Sequence, residues 1–334
     1  MSYEERRYEL KQLAKKQILI AMREATEGRG FDDIIASEYG EIESYEARVL
    51  FLCAALGTAA LVDLTDQQWF DCANVAPSEA LGIIQHGLRG MVEIVGRPER
   101  LVAARHPVIA EYILDNVAGR GDVMEAYRRV LLSLARDIFP GAGRKSRAWR
   151  LFVRLINHQS IFERFGEDIE RARGVFELTA DAFTNEGHFW LQYANLEVDE
   201  GLAAYARSHL ANAEGLLGET DLVLNTRAHM MLREALTVSN YEQALQLRRE
   251  AEEILLNQME SASSDDEYPF HVYLTHVLGW IRAWAPDRAA KKKQLESLLE
   301  TARRASGRMP RNRKLRGVFE AIEREYLTLA VENP

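Results

Sequence analysis

The segment from Met91 to Val117 constrains the fold most, because it carries the clearest strand pattern in a chain whose other patterns are helical. Two short β-compatible runs lie at Met91–Val95 and Arg100–Ala104. Gly96–Glu99 between them supplies the turn residues that a hairpin needs. The segment therefore predicts one β-hairpin in a mainly α-helical protein.

A polar pair, Arg105 and His106, follows the second of these runs, and Pro107 comes next. Proline is favoured at the first position of a helix, where no backbone N–H is needed. A helix is therefore predicted to start at Pro107, with Arg105 and His106 immediately before its first residue. A polar helix start accounts for the proline but leaves the pair itself unexplained.

Three helical patterns precede the hairpin. Tyr45–Ala60 is apolar at nearly every turn, Thr65 opens a helix that runs through Cys72, and Pro77 starts another that ends near Gly87. Three helices followed by a hairpin is the order of elements in a winged-helix domain. The sequence thus predicts a winged-helix domain over residues 45–120.

Leu101–Val117 resembles the segment of signal-transducing STAND NTPases in which a winged-helix domain ends in an MHD-type motif. Residues 17–26, 104–111 and 188–193 also resemble the C-terminal part of bacterial STAND-like proteins. Some of those proteins carry a SIR2-type effector domain and are associated with defence against phage. The resemblance covers most of the chain, and its most specific element is Arg105-His106.

In that motif the histidine approaches the β-phosphate of a bound nucleotide. The resemblance therefore implies a nucleotide-contacting role for His106, with Arg105 beside it. Pro107 stands where the motif has aspartate, so from the motif itself only His106 is carried over.

A phosphate-binding P-loop is absent from the sequence. Such a loop ends in Gly-Lys-Ser or Gly-Lys-Thr so that backbone N–H groups and the lysine reach the phosphates. Gly141–Ser146 has a similar composition without the spacing, and no buried strand precedes it. If the resemblance holds, the chain begins after the nucleotide-binding core, holds no cofactor itself and meets ATP or ADP only through that missing core.

The composition is that of a helical protein with more than one core. The chain has 334 residues, 47% of them hydrophobic and 28% charged, with a net charge of −9. No apolar run reaches the ~20 residues that a membrane span requires, and Met1–Arg7 lacks a signal-peptide pattern. Cys53 and Cys72 lie in apolar helical segments, which favours reduced core thiols. The sequence predicts a cytoplasmic protein with no membrane partner.

Residues 1–44 are predicted to form a separate helical segment. Apolar residues recur at helical spacing in Arg6–Glu27 and again in Phe31–Ile42. The resemblance implies that this segment is the end of a lid that packs on the nucleotide-binding core. Packing on the winged helix is the alternative.

Residues 121–334 show weak internal repetition that resembles tetratricopeptide repeats. Ala172, Phe176 and Thr179 recur 34 positions later, the period of such repeats, and a further unit follows near Ala244 and Ala251. Small residues let paired helices approach closely, and large aromatics fill the space between pairs. This region is predicted to be a TPR-like α-solenoid. The three residues that occupy the repeated positions are Ala206, Leu210 and Ala213.

The aromatic residues of this region are interpreted as core residues rather than a binding cage. Trp190 is expected between helix pairs, and Trp280 and Trp284 are expected to pack the last repeats. A basic segment follows: Pro286–Arg316 has eleven basic and three acidic residues. Such a stripe can meet phosphate groups or an acidic partner. The chain is acidic overall and no aromatic residues are interleaved in this segment, which favours a solvated helix face.

No catalytic constellation is present in the sequence. The eight histidines form no HExxH motif and none pairs with cysteine at zinc-ligand spacing. Pairs such as Asp115 and Asp122, or Asp32 and Asp33, lie at helix ends where capping explains them. The chain is therefore predicted not to be an enzyme and to hold no metal.

Two function classes remain. In the first, the chain is a sensor and regulatory arm, whose repeats bind a protein ligand and whose winged helix docks on a nucleotide-binding core or effector. In the second, the winged helix reads DNA. The third helix, Ser78–Leu88, contains Glu79 and no lysine or arginine. DNA binding normally needs several cations, so the sequence favours the arm.

Overall fold

The structure is a computed structural model that describes residues 30–96, 99–139, 143–261 and 266–331. It is mainly α-helical with one small antiparallel sheet, as the sequence predicts. The chain divides into two compact units, residues 1–186 and 187–334. The predicted boundaries after residues 44 and 120 both fall within the first unit and stay predictions. The helix predicted over Arg6–Glu27 lies outside the described residues.

The first unit is built around one buried helix. Its first elements are α1 (Phe31–Gly40), α2 (Tyr45–Ala59), β1 (Leu64–Thr65), α3 (Asp66–Asp71) and α4 (Pro77–Gly82). Helix α2 is apolar on all sides, and its residues from Val49 to Leu56 are at most 2% exposed. A helix that is hydrophobic all round must be buried, which explains its central place.

Local signals set the ends of these helices. The hydroxyl of Thr65 accepts a hydrogen bond from the backbone N–H of Gln68, and the Gln68 side chain accepts one from the N–H of Thr65. This capping box starts α3 where the sequence places it. Helix α4 begins at Pro77 and continues as a π-helical turn, Ile83–Gly87.

The predicted hairpin is confirmed and has a third strand beside it. The hairpin consists of β2 (Val92–Val95) and β3 (Leu101–Ala104), which are antiparallel. Strand β1 pairs with the other edge of β3, so the sheet order is β1-β3-β2. Gly96 has a φ of +91°, and a Cβ there would lie 2.7 Å from the carbonyl oxygen of Glu99, so glycine is required.

The rest of the first unit is helical. It comprises α5 (Pro107–Tyr112), a π-helical turn (Ile113–Val117), α6 (Arg120–Leu134), α7 (Arg147–Leu155), α8 (His158–Arg164), α9 (Ile169–Glu177) and a 3₁₀ turn (Ala180–Phe183). Helix α2 packs against α5, α6 and β3. Both cysteines are free and buried, as predicted, and burial raises the pKa of the Cys53 thiol.

The second unit is a succession of seven helices in the part of the chain that the structure describes. They are α10 (Gly187–Asp199), α11 (Ala203–Leu217), α12 (Asp221–Ala235), α13 (Tyr241–Ser261), α14 (Tyr268–Trp284), α15 (Arg288–Arg308) and α16 (Arg313–Val331). Each helix packs against the next one in the chain. In addition, α10 contacts α12, α12 contacts α14, and α14 contacts α16.

Trp280 and Trp284 pack into the core of this unit, as predicted, whereas Tyr205, Tyr241 and Tyr268 are exposed. Trp280 is 3% exposed and stacks on Trp284, whose indole N–H donates to the carbonyl oxygen of Ala235 at 3.1 Å. Trp190 is only partly buried and stacks against Tyr193. The fully buried aromatic of α10 is its neighbour Phe189.

Among the helices of residues 30–331 that are described, none is both long enough and apolar enough to cross a membrane.

Candidate functional site

The predicted pair, Arg105 and His106, lies between the end of the hairpin and the first residue of α5. The backbone N–H of Arg105 donates to the carbonyl oxygen of Met91 at 2.9 Å, which closes the hairpin. One residue earlier, the N–H of Ala104 donates to the buried hydroxyl of Thr58, which in turn donates to Asp63. These bonds tie the last residues of β3 to the sheet and to the end of α2.

His106 is the N-cap residue of α5. Its Nδ1 accepts a hydrogen bond from the backbone N–H of Val108 at 3.2 Å, and Pro107 occupies the first helical position. The hydrogen bond satisfies one of the N–H groups that the first helical turn leaves without a partner. The histidine therefore has a structural role at this helix start.

Arg105 is exposed and points to the first helix. Its Nη2 lies 3.1 Å from Oε2 of Glu38 on α1, and both side chains are largely in solvent. An exposed pair of this kind contributes about 0–1 kcal/mol and is screened by salt. Arg105 can therefore exchange Glu38 for another anion at little cost in free energy.

A cavity of about 440 Å³ lies elsewhere in the first unit, and sequence reasoning did not find it. The end of α2, the turn after it, and helices α5 to α8 line this cavity. Leu61 on its rim has a φ of +56°, an unfavourable conformation for a leucine. The polar residues that line it are Glu111, Tyr127, Arg154, Asn157, Ser160 and Arg164.

An ion pair between a mostly buried arginine and a partly exposed aspartate adjoins this cavity. Nη1 of Arg164 lies 2.9 Å from Oδ1 of Asp115, and the guanidinium is 14% exposed. Neither Nε nor Nη1 of Arg164 has an acceptor in hydrogen-bond geometry. Burial raises the pKa of Asp115, and Arg164 partly offsets this. Burial also raises the pKa of Tyr127. Two unlike charges are thus held together in a poorly solvated place.

The sequence pattern suggests a helix-capping role for Asp115 and does not predict its contact with Arg164. Asp115 lies in the π-helical turn Ile113–Val117, not at a helix N-cap, and that turn directs it toward Arg164. Asp122, the carboxylate that the sequence analysis pairs with Asp115, lies in the first turn of α6, where its Oδ2 is 3.9 Å from Nε of Arg48. The structure does not bring the two carboxylates together as a pair.

A second polar cluster joins three helices of the second unit. Nδ1 of His229 on α12 lies 3.5 Å from Oδ1 of Asp199 on α10. The ring of His276 on α14 lies 4.4 Å from that of His229. Burial, together with the neighbouring His229, lowers the pKa of His276 to about 3. Nearby, the hydroxyl of Thr226 donates to Oδ1 of Asn195 at 2.9 Å.

Within the described parts of residues 30–331, no three His, Cys, Asp or Glu side chains are grouped as metal ligands. In comparisons with known proteins, no protein-family model, no curated protein and no solved structure matches this chain.

Proposed function

We propose that this chain is the non-catalytic sensor and regulatory arm of a STAND-type signalling or antiphage-defence protein. Its second unit binds a protein ligand through TPR-like helical repeats, and its first unit docks on a nucleotide-binding core. Ligand binding shifts the equilibrium between closed and open assemblies because the ligand binds one of them better.

The observation that carries the proposal is the packing of alternate helices in the second unit. Helices α10, α12, α14 and α16 contact one another in series, while α11, α13 and α15 connect them. Paired helices stacked in this way are typical of α-solenoids, in which one layer of helices lines an extended binding surface. We assign the ligand surface to the layer of α10, α12, α14 and α16.

Small buried residues support the repeat interpretation. Ala206 and Ala213 on α11 and Ala244 and Ala251 on α13 are all fully buried. They recur where the sequence pattern places the small residues of successive repeats. Their size lets neighbouring helix backbones approach closely, as repeat packing requires.

The order of elements in the first unit supports a winged helix. Helix α2, strand β1, helices α3 and α4, and the hairpin β2–β3 follow one another, and the three strands form one sheet. The exposed side chains of α4 and the turn after it include Glu79, Gln85 and His86 but no lysine or arginine. This composition supports docking on protein rather than reading DNA.

The proposed contact with the nucleotide passes through His106. We assign the His106 side chain to a phosphate oxygen, with Arg105 as the adjacent cation. The dipole of the helix start favours an anion there.

Two exposed apolar residues of the assigned layer allow a direct test of ligand binding. Leu222 on α12 is 55% exposed and Tyr268 on α14 is 40% exposed. Leu216 on α11 is 44% exposed and serves as the matched control outside the layer. The wild-type chain and the variants Leu222→Glu, Tyr268→Glu and Leu216→Glu are photo-crosslinked in the cells that produce them, and the crosslinked proteins are quantified.

We expect one protein to crosslink to the wild type and to Leu216→Glu, and to be lost from Leu222→Glu and Tyr268→Glu. Equal crosslinking to all four chains contradicts the assigned surface. The purified chain should also show no ATP turnover and no preference for duplex DNA. ATP hydrolysis that persists through purification, or sequence-selective DNA binding, contradicts the proposal.

A further inference from the structure

The last helix hairpin has a strongly basic end. Seven cations and no acidic residue occur between residues 303 and 316, although the chain as a whole carries a net charge of −9. All seven side chains are exposed. They are Arg303, Arg304, Arg308, Arg311, Arg313, Lys314 and Arg316.

The two ends of α15 differ in how their charges are neutralised. Near its start, Lys291 lies 2.8 Å from Glu325, and Arg288 donates to the carbonyl oxygen of Leu329. Near its end, leaving Arg308 aside, the other six cations have no carboxylate within salt-bridge distance among residues 266–331 and the other described parts of the chain. The end of α15 and the turn after it therefore carry the larger group of cations without a carboxylate, although Lys292 and Lys293 near the start are also exposed.

A cavity of about 230 Å³ adjoins this basic end, between α13, the first turn of α14 and α15. Its apolar wall consists of Leu256, Met259 and Phe270, and Leu256 is 42% exposed. Arg304, Arg308 and the buried Thr301 form the opposite wall, and Glu260 is the one acidic residue that lines it.

Arg308 is held in place at this cavity. Its guanidinium lies 5.7 Å from the centre of the Phe270 ring, and its Nη1 donates to the carbonyl oxygen of Met259 at 3.1 Å. Arg304 makes only a long contact of 3.5 Å with the hydroxyl of Thr301. The cavity thus has one fixed and one adaptable guanidinium beside an apolar wall.

We propose that this cavity and the surrounding cations, the basic groove, bind an acidic peptide segment of a partner protein through one aliphatic side chain. The aliphatic group fills the apolar cavity, and flanking Asp and Glu side chains pair with the exposed arginines around it. Arginine binds carboxylates well because its planar guanidinium donates two parallel hydrogen bonds.

Two observations favour a peptide over nucleic acid. Base binding needs exposed aromatic faces, but Phe270 is 5% exposed and lies under Arg308. The net negative charge of the chain also repels a long polyanion more than a short acidic peptide, which carries fewer negative charges. The residues that the test alters, Arg304 and Arg308, lie on α15, outside the helix layer assigned to the ligand in the proposed function, although Phe270 of the cavity lies on α14 of that layer. The two proposals are thus tested at different residues and can fail separately.

The test uses the full chain and labelled synthetic peptides of Asp, Glu and Gly, with or without one central Leu. Binding is followed by fluorescence anisotropy, with single-stranded oligothymidylate as the competing class of ligand. Arg304→Glu and the double variant Arg304→Glu/Arg308→Glu alter the groove. Lys292→Glu/Lys293→Glu reverses two exposed charges on the same helix outside the cavity. Circular dichroism verifies that each variant is folded.

We expect Arg304→Glu/Arg308→Glu to weaken binding of the Leu peptide about tenfold or more, and Lys292→Glu/Lys293→Glu to weaken it about twofold or less. Arg304→Glu alone falls between them, which covers the case in which the double variant does not fold. Removing the central Leu should weaken binding by about tenfold, because burial of a leucine is lost. The proposal is overturned by equal effects of the two double variants, by equal binding of both peptides, or by tighter binding of oligothymidylate.

Discussion

The two compact units are stabilised over different ranges of sequence. In the first unit, Arg129 pairs with Glu46 across 83 positions, and Gln68 donates to Asp137 across 69. In the second, hydrogen bonds between helices span shorter ranges, such as 31 positions from Thr226 to Asn195 and 49 positions from Trp284 to Ala235. Contacts between distant segments make a region unfold as a whole, whereas contacts between neighbouring repeats let helices open separately. We therefore expect cooperative unfolding in the first unit and local unfolding in the second.

The largest effect is expected from Arg129→Ala in the first unit. The Arg129 side chain is 5% exposed and pairs with Glu46 and Glu125, both at 2.7 Å. Its removal leaves these carboxylates without their buried partner, which costs about 3–5 kcal/mol of unfolding free energy. Hydrogen exchange should show faster opening of all the described helices of this unit.

The neighbouring residue provides the control for this substitution. Arg128 pairs with Glu125 near the surface, so Arg128→Ala should cost about 1 kcal/mol or less. Faster exchange that is confined to α6 in Arg129→Ala would contradict cooperative unfolding of the first unit.

Phe189→Ala tests the second unit. Phe189 is fully buried in α10, and truncation of a buried aromatic costs about 3–5 kcal/mol. Hydrogen exchange should become faster in α10, α11 and α12. It should stay unchanged in α16, because α16 packs against α14 and α15 and not against these three helices. Trp190→Ala, at a partly buried position, should cost less.

If α16 exchanges as fast as α10 in Phe189→Ala, the second unit unfolds as one body and the contrast with the first unit is lost. If Trp190→Ala costs as much as Phe189→Ala, the burial of these two residues does not set their contribution to stability.

Elements with strong local signals could be predicted from the sequence. The helix predicted over Tyr45–Ala60 is observed at Tyr45–Ala59, and both strands of the hairpin start within one residue of their predicted positions. The alternation of residues that marks a strand, the glycine of a turn and the capping residues of a helix all act over a few residues. Such signals do not depend on the rest of the fold.

Features that depend on distant partners could not be predicted. Strand β1 has two residues, too few for a pattern, and exists because Leu64 and Thr65 pair with β3. The contact between Asp115 and Arg164 depends on a π-helical turn that no sequence signal marks. The sequence predicts the helix start at His106, and the structure adds which nitrogen is occupied there.

Acidification should separate the two units. His276 in the second unit has an ordinary pKa of 6.5 that is lowered to about 3, mainly by burial, and His271 on the same helix is shifted in the same direction. As pH falls from about 6.5 to 3, the unfolded chain gains a proton at His276 that the folded chain does not. The stability of the second unit therefore falls over this window.

In the first unit, Glu125 keeps its stabilising negative charge over most of this range. Hydrogen bonds from Arg128 and Arg129 lower the pKa of Glu125 from 4.5 to about 2, so the stability from this group is lost only as pH falls from about 4.5 toward 2. As pH falls from 7 to 5, hydrogen-exchange protection factors, which are corrected for the slower intrinsic exchange at lower pH, should therefore decrease in α14 before α6. The variant His276→Gln should flatten the response of α14, and an unchanged response would exclude His276 as its source.

The smallest effect on stability concerns His106, where a structural and a functional role can be separated. His106→Ala removes the acceptor for the Val108 N–H and should cost the first unit about 0.5–2 kcal/mol. Asparagine is a favourable N-cap, so His106→Asn should stay within a few tenths of a kcal/mol of the wild type. Because α5 contacts α2, the loss in His106→Ala should appear across the first unit and not in the second.

The same two variants test the nucleotide contact in an assembly with the nucleotide-binding core. Neither variant has an imidazole Nε2, so both should release bound ATP or ADP faster than the wild type, whatever their stability. If the assembly loses bound nucleotide in His106→Ala but retains it in His106→Asn, His106 acts there only by capping α5. The proposed phosphate contact would then be wrong, while the helix cap and the cooperative first unit would stand.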